Sequence, residues 1–393
     1  MAPGRRTRIL IVDDSAVMRS LLRSVVCADA GLEVAGTAAN GASALSSIGV
    51  AQPDLILLDV EMPVMDGLVT LRELRRRGHK MPVIMCSSLT QRGAKVTLEA
   101  LACGASDYVA KPSGQANREA ATRALAQDLG PKIHALTSQY PGPQQGAVQI
   151  PIAGLSQGQP SPVFPGLPRA PLFLPMAPPQ RAQAISANPN VLAIGVSTGG
   201  PAALDVLLPA LPGNFPLPVL IVQHMPELFT KLFAERLDSR CKLRVREAAE
   251  GEAVRPGTIF IARGNWHMEV FAAARGGSPR TLHLNQGPLE NHCRPAVDVL
   301  FRCAAAVYGA GTLAVVLTGM GSDGLIGCRM VREHNGTVLA QDQASSTVWG
   351  MPGAVTHAGL AHKVLPLHDL VPEILRLANR THSEARELRE SVV

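Results

Sequence analysis

Short apolar runs recur along the chain, spaced by segments long enough for helices. The first five read RILIVDD, LEVAGTA, DLILLD, MPVIMCSS and SDYVAK. Runs this short and this rich in Val, Ile and Leu are buried strands, and a helix-length segment after each, the first opening at Ser15, predicts β–α alternation. The pattern is that of an α/β domain with a doubly wound parallel sheet of five strands, assigned to residues 1–130. The alternation then stops. Eleven prolines fall between Pro141 and Pro179, where Arg169 is the only charged side chain. Proline removes a backbone donor and fixes φ, so residues 131–188 are expected to form an extended, proline-rich linker. The apolar piece FPGLPRAPLFLPM inside it is open to two readings, a free linker or a segment packed on a domain. From Asn190 the alternation returns as VLAIGV, PVLIVQH, RVREAA, GTIFIAR, TLAVVLTG and GTVLAQ. These predict a second doubly wound α/β domain with a largely parallel sheet over 189–380, followed by a charged helical tail, 381–393.

Composition narrows the function. The chain has 393 residues, 46% hydrophobic but only 3% aromatic, so its two cores are aliphatic. Few aromatics also argue against the stacking platforms of single-strand binders. The net charge of +6 is scattered; the Arg72–Arg77 cluster reads as a solvated helix face, and no helix-turn-helix, finger or RNP signature appears. Nucleic acid is therefore not an expected partner. Seven cysteines form no CxxC pair, which suits buried free thiols in a reducing compartment. The start, MAPGRRTRILIVDD, has too short an apolar run for a signal peptide, and no run approaches the roughly 18 apolar residues of a membrane helix. The expectation is a soluble, cytoplasmic protein with no membrane insertion.

In a parallel sheet all strands deliver their carboxyl ends to one edge. In the first domain those ends carry Asp13–Asp14, Asp59, Ser87 and Lys111. Three carboxylates on one rim repel one another unless a hard cation sits among them, and oxygen-only ligands with open water positions suit Mg2+. Lys111 can pair with a phosphoryl oxygen, and Ser87 can donate a hydrogen bond to it. With LLDVEMPVMDG at 57–67 and AKP at 110–112, the set resembles a response-regulator receiver domain, a flavodoxin-like (βα)5 fold. The resemblance implies Asp59 as phosphoacceptor, Mg2+ held by Asp13, Asp14, the Asp59 carboxylate and the Glu61 carbonyl, and phosphoryl sensing by Ser87 and Lys111. It also implies a cis Lys111–Pro112 bond and makes Tyr108 the aromatic that reorients on activation.

In the second domain IGVSTGG, at 194–200, follows a strand. A dinucleotide fingerprint needs glycine where Ser197 stands, and a phosphate loop needs a GK[ST] that is missing. The stretch instead satisfies GxSxG, in which small neighbours hold a serine on a sharp strand-to-helix turn. A nucleophilic serine needs a base, and the base needs an orienting group. PVLIVQ ends at His224, and LAVVL runs into TGMGSDG with Asp323. Among the other histidines, His267 and His292 remain competitors for the base. The order Ser, His, Asp differs from that of α/β-hydrolases.

IGVSTGGP, QHMPELFTKLFAERL, HCRPAVDVLF, LTGMGSDG and WGMPGAV resemble the catalytic domain of chemotaxis protein-glutamate methylesterases, with Trp349 where phenylalanine is usual. The resemblance implies hydrolysis of glutamyl methyl esters on chemoreceptor cytoplasmic helices, releasing methanol, and deamidation of receptor glutamines. It makes Ser197 the nucleophile, His224 the base and Asp323 its orienting acid, with no cofactor for this reaction. The Met320 N–H becomes the oxyanion donor, and Thr198 is either a positioner of His224 or a helix cap. The partners implied are methylated chemoreceptors as substrate and a chemotaxis histidine kinase as phosphodonor. Two other readings of the second domain are a hydrolase of other esters and a binding module without catalysis.

Overall fold

In a computed structural model, residues 5–112, 117–138, 189–272 and 279–379 are described in full, and 380–390 as backbone. The first domain runs β1 (Thr7–Val12), α1 (Ala16–Ala28), β2 (Leu32–Ala38), α2 (Gly41–Ala51), β3 (Leu55–Asp59), α3 (Gly67–Arg76), β4 (Val83–Ser87), α4 (Gln91–Ala102), β5 (Asp107–Ala110) and α5 (Arg118–Ser138). Side-chain caps start the helices where the chain leaves the sheet: Ser15, Asn40, Asp66 and Thr90 each accept from a backbone N–H three residues on. The sheet order β2-β1-β3-β4-β5 is parallel throughout. Its switch point lies between β1 and β3, so Asp13 and Asp59 emerge on either side of the crevice.

α5 continues past residue 130 to Ser138, so residues 131–138 are helical rather than extended linker. Gly130–Pro131 reads as a breaker, but Ile133 and Leu136 are buried against the first core, and that packing outweighs the lost hydrogen bond at Pro131. FPGLPRAPLFLPM lies outside the described residues.

The second domain runs β6 (Val191–Val196), α6 (Gly200–Leu207), β7 (Val219–Gln223), α7 (Glu227–Asp238), β8 (Arg244–Glu247), β9 (Thr258–Ile261), β10 (His267–Phe271), β11 (Thr281–Asn285), α8 (Val297–Tyr308), β12 (Thr312–Val316), α9 (Leu325–Glu333), β13 (Thr337–Gln341), α10 (Met351–His357), β14 (Lys363–Leu365) and α11 (Leu367–Glu390). Its main sheet, β14-β13-β12-β6-β7-β9-β8, is also parallel. β10 and β11 form a separate antiparallel pair that the apolar-run pattern does not single out. In the sheet centre β12, β6 and β7 are fully buried neighbours. Their carboxyl ends meet at the second switch point.

The domains touch. Helix α4 packs on α6 and α7. Val348 and Met320 of the second domain join the apolar cluster of β1, α1 and α5.

Candidate active site

β6 and β7 pair with Val196 opposite Gln223, so the residues that follow, Ser197 and His224, leave the sheet side by side. The ladder carries past the strand ends: Ser197 N–H donates to Thr318 O at 3.0 Å, and His224 N–H to Val196 O at 3.2 Å. The Gln223 amide donates to the carbonyls of both Ser197 and His224, each at 3.1 Å, and so ties the two backbones together. Two glycines of IGVSTGG serve close approach. A Cβ on Gly199, whose φ is +77°, would stand 2.4 Å from Thr347; one on Gly195 would stand 2.3 Å from Val297 Cγ1. The second lets the start of α8 lie against β6.

That helix start holds the acid. Asp323 Oδ2 accepts from Val297 N–H at 2.7 Å, and Oδ1 accepts from Asp298 N–H at 3.0 Å and Gly324 N–H at 2.9 Å. His224 Nε2 lies 2.8 Å from Asp323 Oδ2. Burial raises the Asp323 carboxyl, but His224 and the backbone N–H groups outweigh it and hold the group below its ordinary value. Burial disfavours a charge on His224, yet Asp323 and the Cys293 sulfur lift the ring to about 9. With Nε2 engaged by Asp323, the nitrogen left to serve Ser197 is Nδ1, which lies 3.7 Å from Cys293 Sγ. Among the described residues no hydrogen bond joins Ser197 Oγ to His224.

The competing histidines stand elsewhere. His267 is buried, with Nε2 on Pro288 O at 2.9 Å and Nδ1 accepting from Ala296 N–H at 3.3 Å, so it fixes the loop before α8. His292 is exposed, in a left-handed backbone conformation. Thr198 does not cap α6, whose N-cap is Gly199, and among the described residues no hydrogen bond joins its side chain to His224. Its hydroxyl donates to Asp107 Oδ2 in the first domain at 2.7 Å, because the domain interface offers it a buried carboxylate. Met320 N–H meets no acceptor among the described residues, and its side chain packs on the first domain.

In the first domain, Asp13, Asp14 and Asp59 present carboxylate oxygens within 4.8 Å of one another. Lys111 Nζ spans Asp13 Oδ2 at 2.8 Å and Asp59 Oδ1 at 2.7 Å. Burial pushes the Asp59 carboxyl up to about 6 against the Lys111 hydrogen bond. An acidic oxygen cluster with one exposed member fits a hydrated Mg2+. The Ser87 hydroxyl is engaged within its own loop and α4: it accepts from Thr97 at 2.8 Å and donates to Ser88 O at 3.2 Å. The cis X–Pro bond among the described residues is Arg294–Pro295, not Lys111–Pro112; the two isomers differ by only about 0.5–1 kcal/mol, too little for sequence to decide. Tyr108 is buried in the interface, its ring stacked on Phe229 of α7 at 4.7 Å.

Sequence reasoning missed Gln223, Cys293, Asp107 and Phe229. Gln223 and Cys293 sit inside the quoted motifs QHMPELF and HCRPAVD, but nothing local says what they touch.

Fold and site together define a receiver domain joined to a second parallel α/β domain that gathers a serine, a histidine and an aspartate at its sheet edge. Residues 9–123 match the response regulator receiver domain family model, and residues 192–374 match that of CheB methylesterase. A protein-glutamate methylesterase/protein-glutamine glutaminase of Nocardioides sp. is 48% identical over 369 residues, 94% of each chain. One from Trichodesmium erythraeum is 44% identical over 369 residues, 94% of this chain and 98% of that one. The crystal structure of the Thermotoga maritima CheB methylesterase catalytic domain is 43% identical with a TM-score of 0.47, covering 48% of this chain and 99% of that chain. The chain belongs to the CheB methylesterase family, with that family's catalytic domain behind a response regulator receiver domain.

Proposed function

We propose that the protein is a protein-glutamate methylesterase and protein-glutamine glutaminase that works through Ser197, His224 and Asp323 and is switched by phosphorylation of Asp59. The observation that carries the reading is the 2.8 Å pairing of His224 with Asp323 directly beside Ser197, in a member of this family. His224 Nδ1 takes the Ser197 proton as Oγ attacks the side-chain carbonyl of a methylated glutamate. Asp323 holds Nε2–H, fixing the tautomer and stabilising the imidazolium. The imidazolium then gives that proton to the departing methoxide oxygen, or to the departing nitrogen of a glutamine, so that methanol or ammonia leaves, and a water deprotonated by the ring resolves the acyl-serine. The Met320 N–H, without an acceptor among the described residues, is the oxyanion donor, the kind of contact typically contributing roughly 3–4 kcal/mol.

The substrates are glutamyl side chains on the cytoplasmic helices of chemoreceptors, the phosphodonor is a chemotaxis histidine kinase, and the setting is the cytoplasm. Residues 1–130 and the rest of α5, to Ser138, form the receiver, 139–188 the linker, 189–380 the esterase and 381–393 the tail. Mg2+ would be held by Asp13, Asp14, Asp59 and the Glu61 carbonyl, where it supplies positive charge for phosphoryl oxygens; Lys111 and Ser87 sense the phosphoryl group. The resting contacts support a closed state: Thr198 is tied to Asp107, Phe229 lies under Tyr108, and Met320 is packed on the receiver.

A fluorophosphonate probe tests the nucleophile. Labelling should map to the Ser197 peptide, vanish in Ser197→Ala and slow in His224→Ala. Equal labelling of parent and His224→Ala contradicts the reading.

A further inference from the structure

The stretch NHCRPAVD carries two polar side chains that the serine, histidine and aspartate leave unexplained. Asp298, in the first turn of α8, is 1% exposed. Its Oδ1 accepts from Gly327 N–H at the start of α9 at 2.6 Å, and its Oδ2 accepts from Asn291 Nδ2 at 2.9 Å. The same Nδ2 donates to Asp323 Oδ1 at 2.9 Å. Both partners of that amide are carboxylate oxygens, so its nitrogen, and not its oxygen, must lie between them. Asn291 has a left-handed φ of 51°, which asparagine tolerates better than most residues. Among the described residues no lysine or arginine pairs with Asp298 or Asp323; Arg302 of α8 is engaged by Glu290 instead. Two buried carboxylates are therefore joined by one neutral amide.

We infer that Asn291 and Asp298 are positioning residues for the hydrolysis: Asn291 divides its two N–H groups between the carboxylates and so sets the rotation of Asp323 toward His224, while Asp298, held by Gly327, anchors Asn291. The inference rests on the esterase reading above. Among the described residues Asp323 has two oxygens and five donors, and Asn291 is the only side-chain donor besides His224. Without it Oδ1 keeps only backbone partners, and Asn291 is released from Asp298 as well. The negative charge of Asp298 behind Asp323 also favours the imidazolium form of His224. The other titratable or charged groups facing this cluster are Cys293, Glu290 with its partner Arg302, His267 and the buried Cys328 of α9.

The test uses the full-length protein with a small-molecule phosphodonor and Mg2+, measuring methanol release from methylated receptor across pH. Asn291→Asp adds a third carboxylate between the two. It should lower kcat about tenfold or more, leave KM within about twofold, and move the acid limb of kcat/KM up by about half a pH unit. Asp298→Asn removes a charge and should move that limb down, also with KM unchanged. Opposite shifts are a signature that loss of packing alone does not produce. Asp298→Asn carries the test by itself if Asn291→Asp fails to fold. Acid limbs that match the parent in variants melting like the parent overturn the inference. No methanol from the parent overturns the esterase reading instead.

Discussion

Thr198, the residue after the candidate nucleophile, gives its hydroxyl hydrogen to Asp107 of the receiver across 2.7 Å, and both groups are buried. Asp107 opens β5, the strand that ends one residue before Lys111, the lysine bound to Asp59. One strand thus has the esterase turn at one end and the phosphorylation site at the other. The adjacent Tyr108 stacks on Phe229, three residues into the helix that follows His224.

This contact makes Asp107 part of the restraint. A hydrogen bond to a buried charged group contributes about 1.5–3 kcal/mol. Asp107→Ala should therefore raise methanol release without a phosphodonor by about tenfold or more, and shrink the further stimulation that a phosphodonor gives. Unchanged basal release in a folded Asp107→Ala protein contradicts a closed state held by this contact.

The resting site should also be limited by the charge on His224. The folded ring is raised from 6.5 to about 9, so in the closed state it is charged at neutral pH and cannot accept the Ser197 proton. Residual activity of the unphosphorylated protein should rise as pH climbs from neutral toward about 9. The stability contributed by the charged His224–Asp323 pair has the opposite trend: it is fully present below 6.5 and is lost as pH rises through about 9. Cys293→Ala removes one of the groups that raise the ring and should move the activity limb to lower pH. A limb that stays in place in that variant argues against the sulfur's part.

Gly199 is required by its backbone and by its surroundings. Its φ of +77° disfavours any side chain, and Thr347 fills the space a Cβ would take. Gly199→Ala should cost about 2 kcal/mol or more from strain and overlap, read as a lower melting temperature, and should lower esterase activity by displacing Ser197. A variant that melts and turns over like the parent would show the turn to be more pliable than this geometry implies.

Mg2+ should bind the receiver through its acids. Millimolar Mg2+ should raise the melting temperature of the parent, by about 1.4 kcal/mol of stability at ten times its dissociation constant. Asp13→Asn and Asp59→Asn should each abolish most of that shift. An equal shift in both variants places the ion elsewhere.

The sequence exposed most of the parts and few of the contacts between them. Asp13, Asp59, Ser197 and His224 are legible because each ends a continuous apolar run, and Asp323 because it lies in the loop that follows one; a parallel sheet sends such residues to one edge. The β10–β11 hairpin is not, since its strands are short and mixed in character, HMEVF and TLHLN giving little sustained apolar signal. The linker expected from residue 131 begins later, because the burial of Ile133 and Leu136 that carries α5 onward is tertiary and has no local signature. Thr198 was assigned to His224 or to a helix cap, both local roles; its partner Asp107 lies 91 residues away in another domain, beyond any periodicity. Asn291 has no local signature for the same reason, as its value lies in joining Asp298 to Asp323, 32 residues on in the sequence.

The central claim is a serine esterase restrained by its own receiver. Methanol release from methylated receptor by the full-length protein, with and without a phosphodonor, tests it most directly. Release should be low at rest, rise on phosphorylation in a way that Asp59→Ala loses, and be absent in Ser197→Ala under either condition. Full activity in Ser197→Ala, or equal activity with and without phosphodonor in the parent, contradicts the claim.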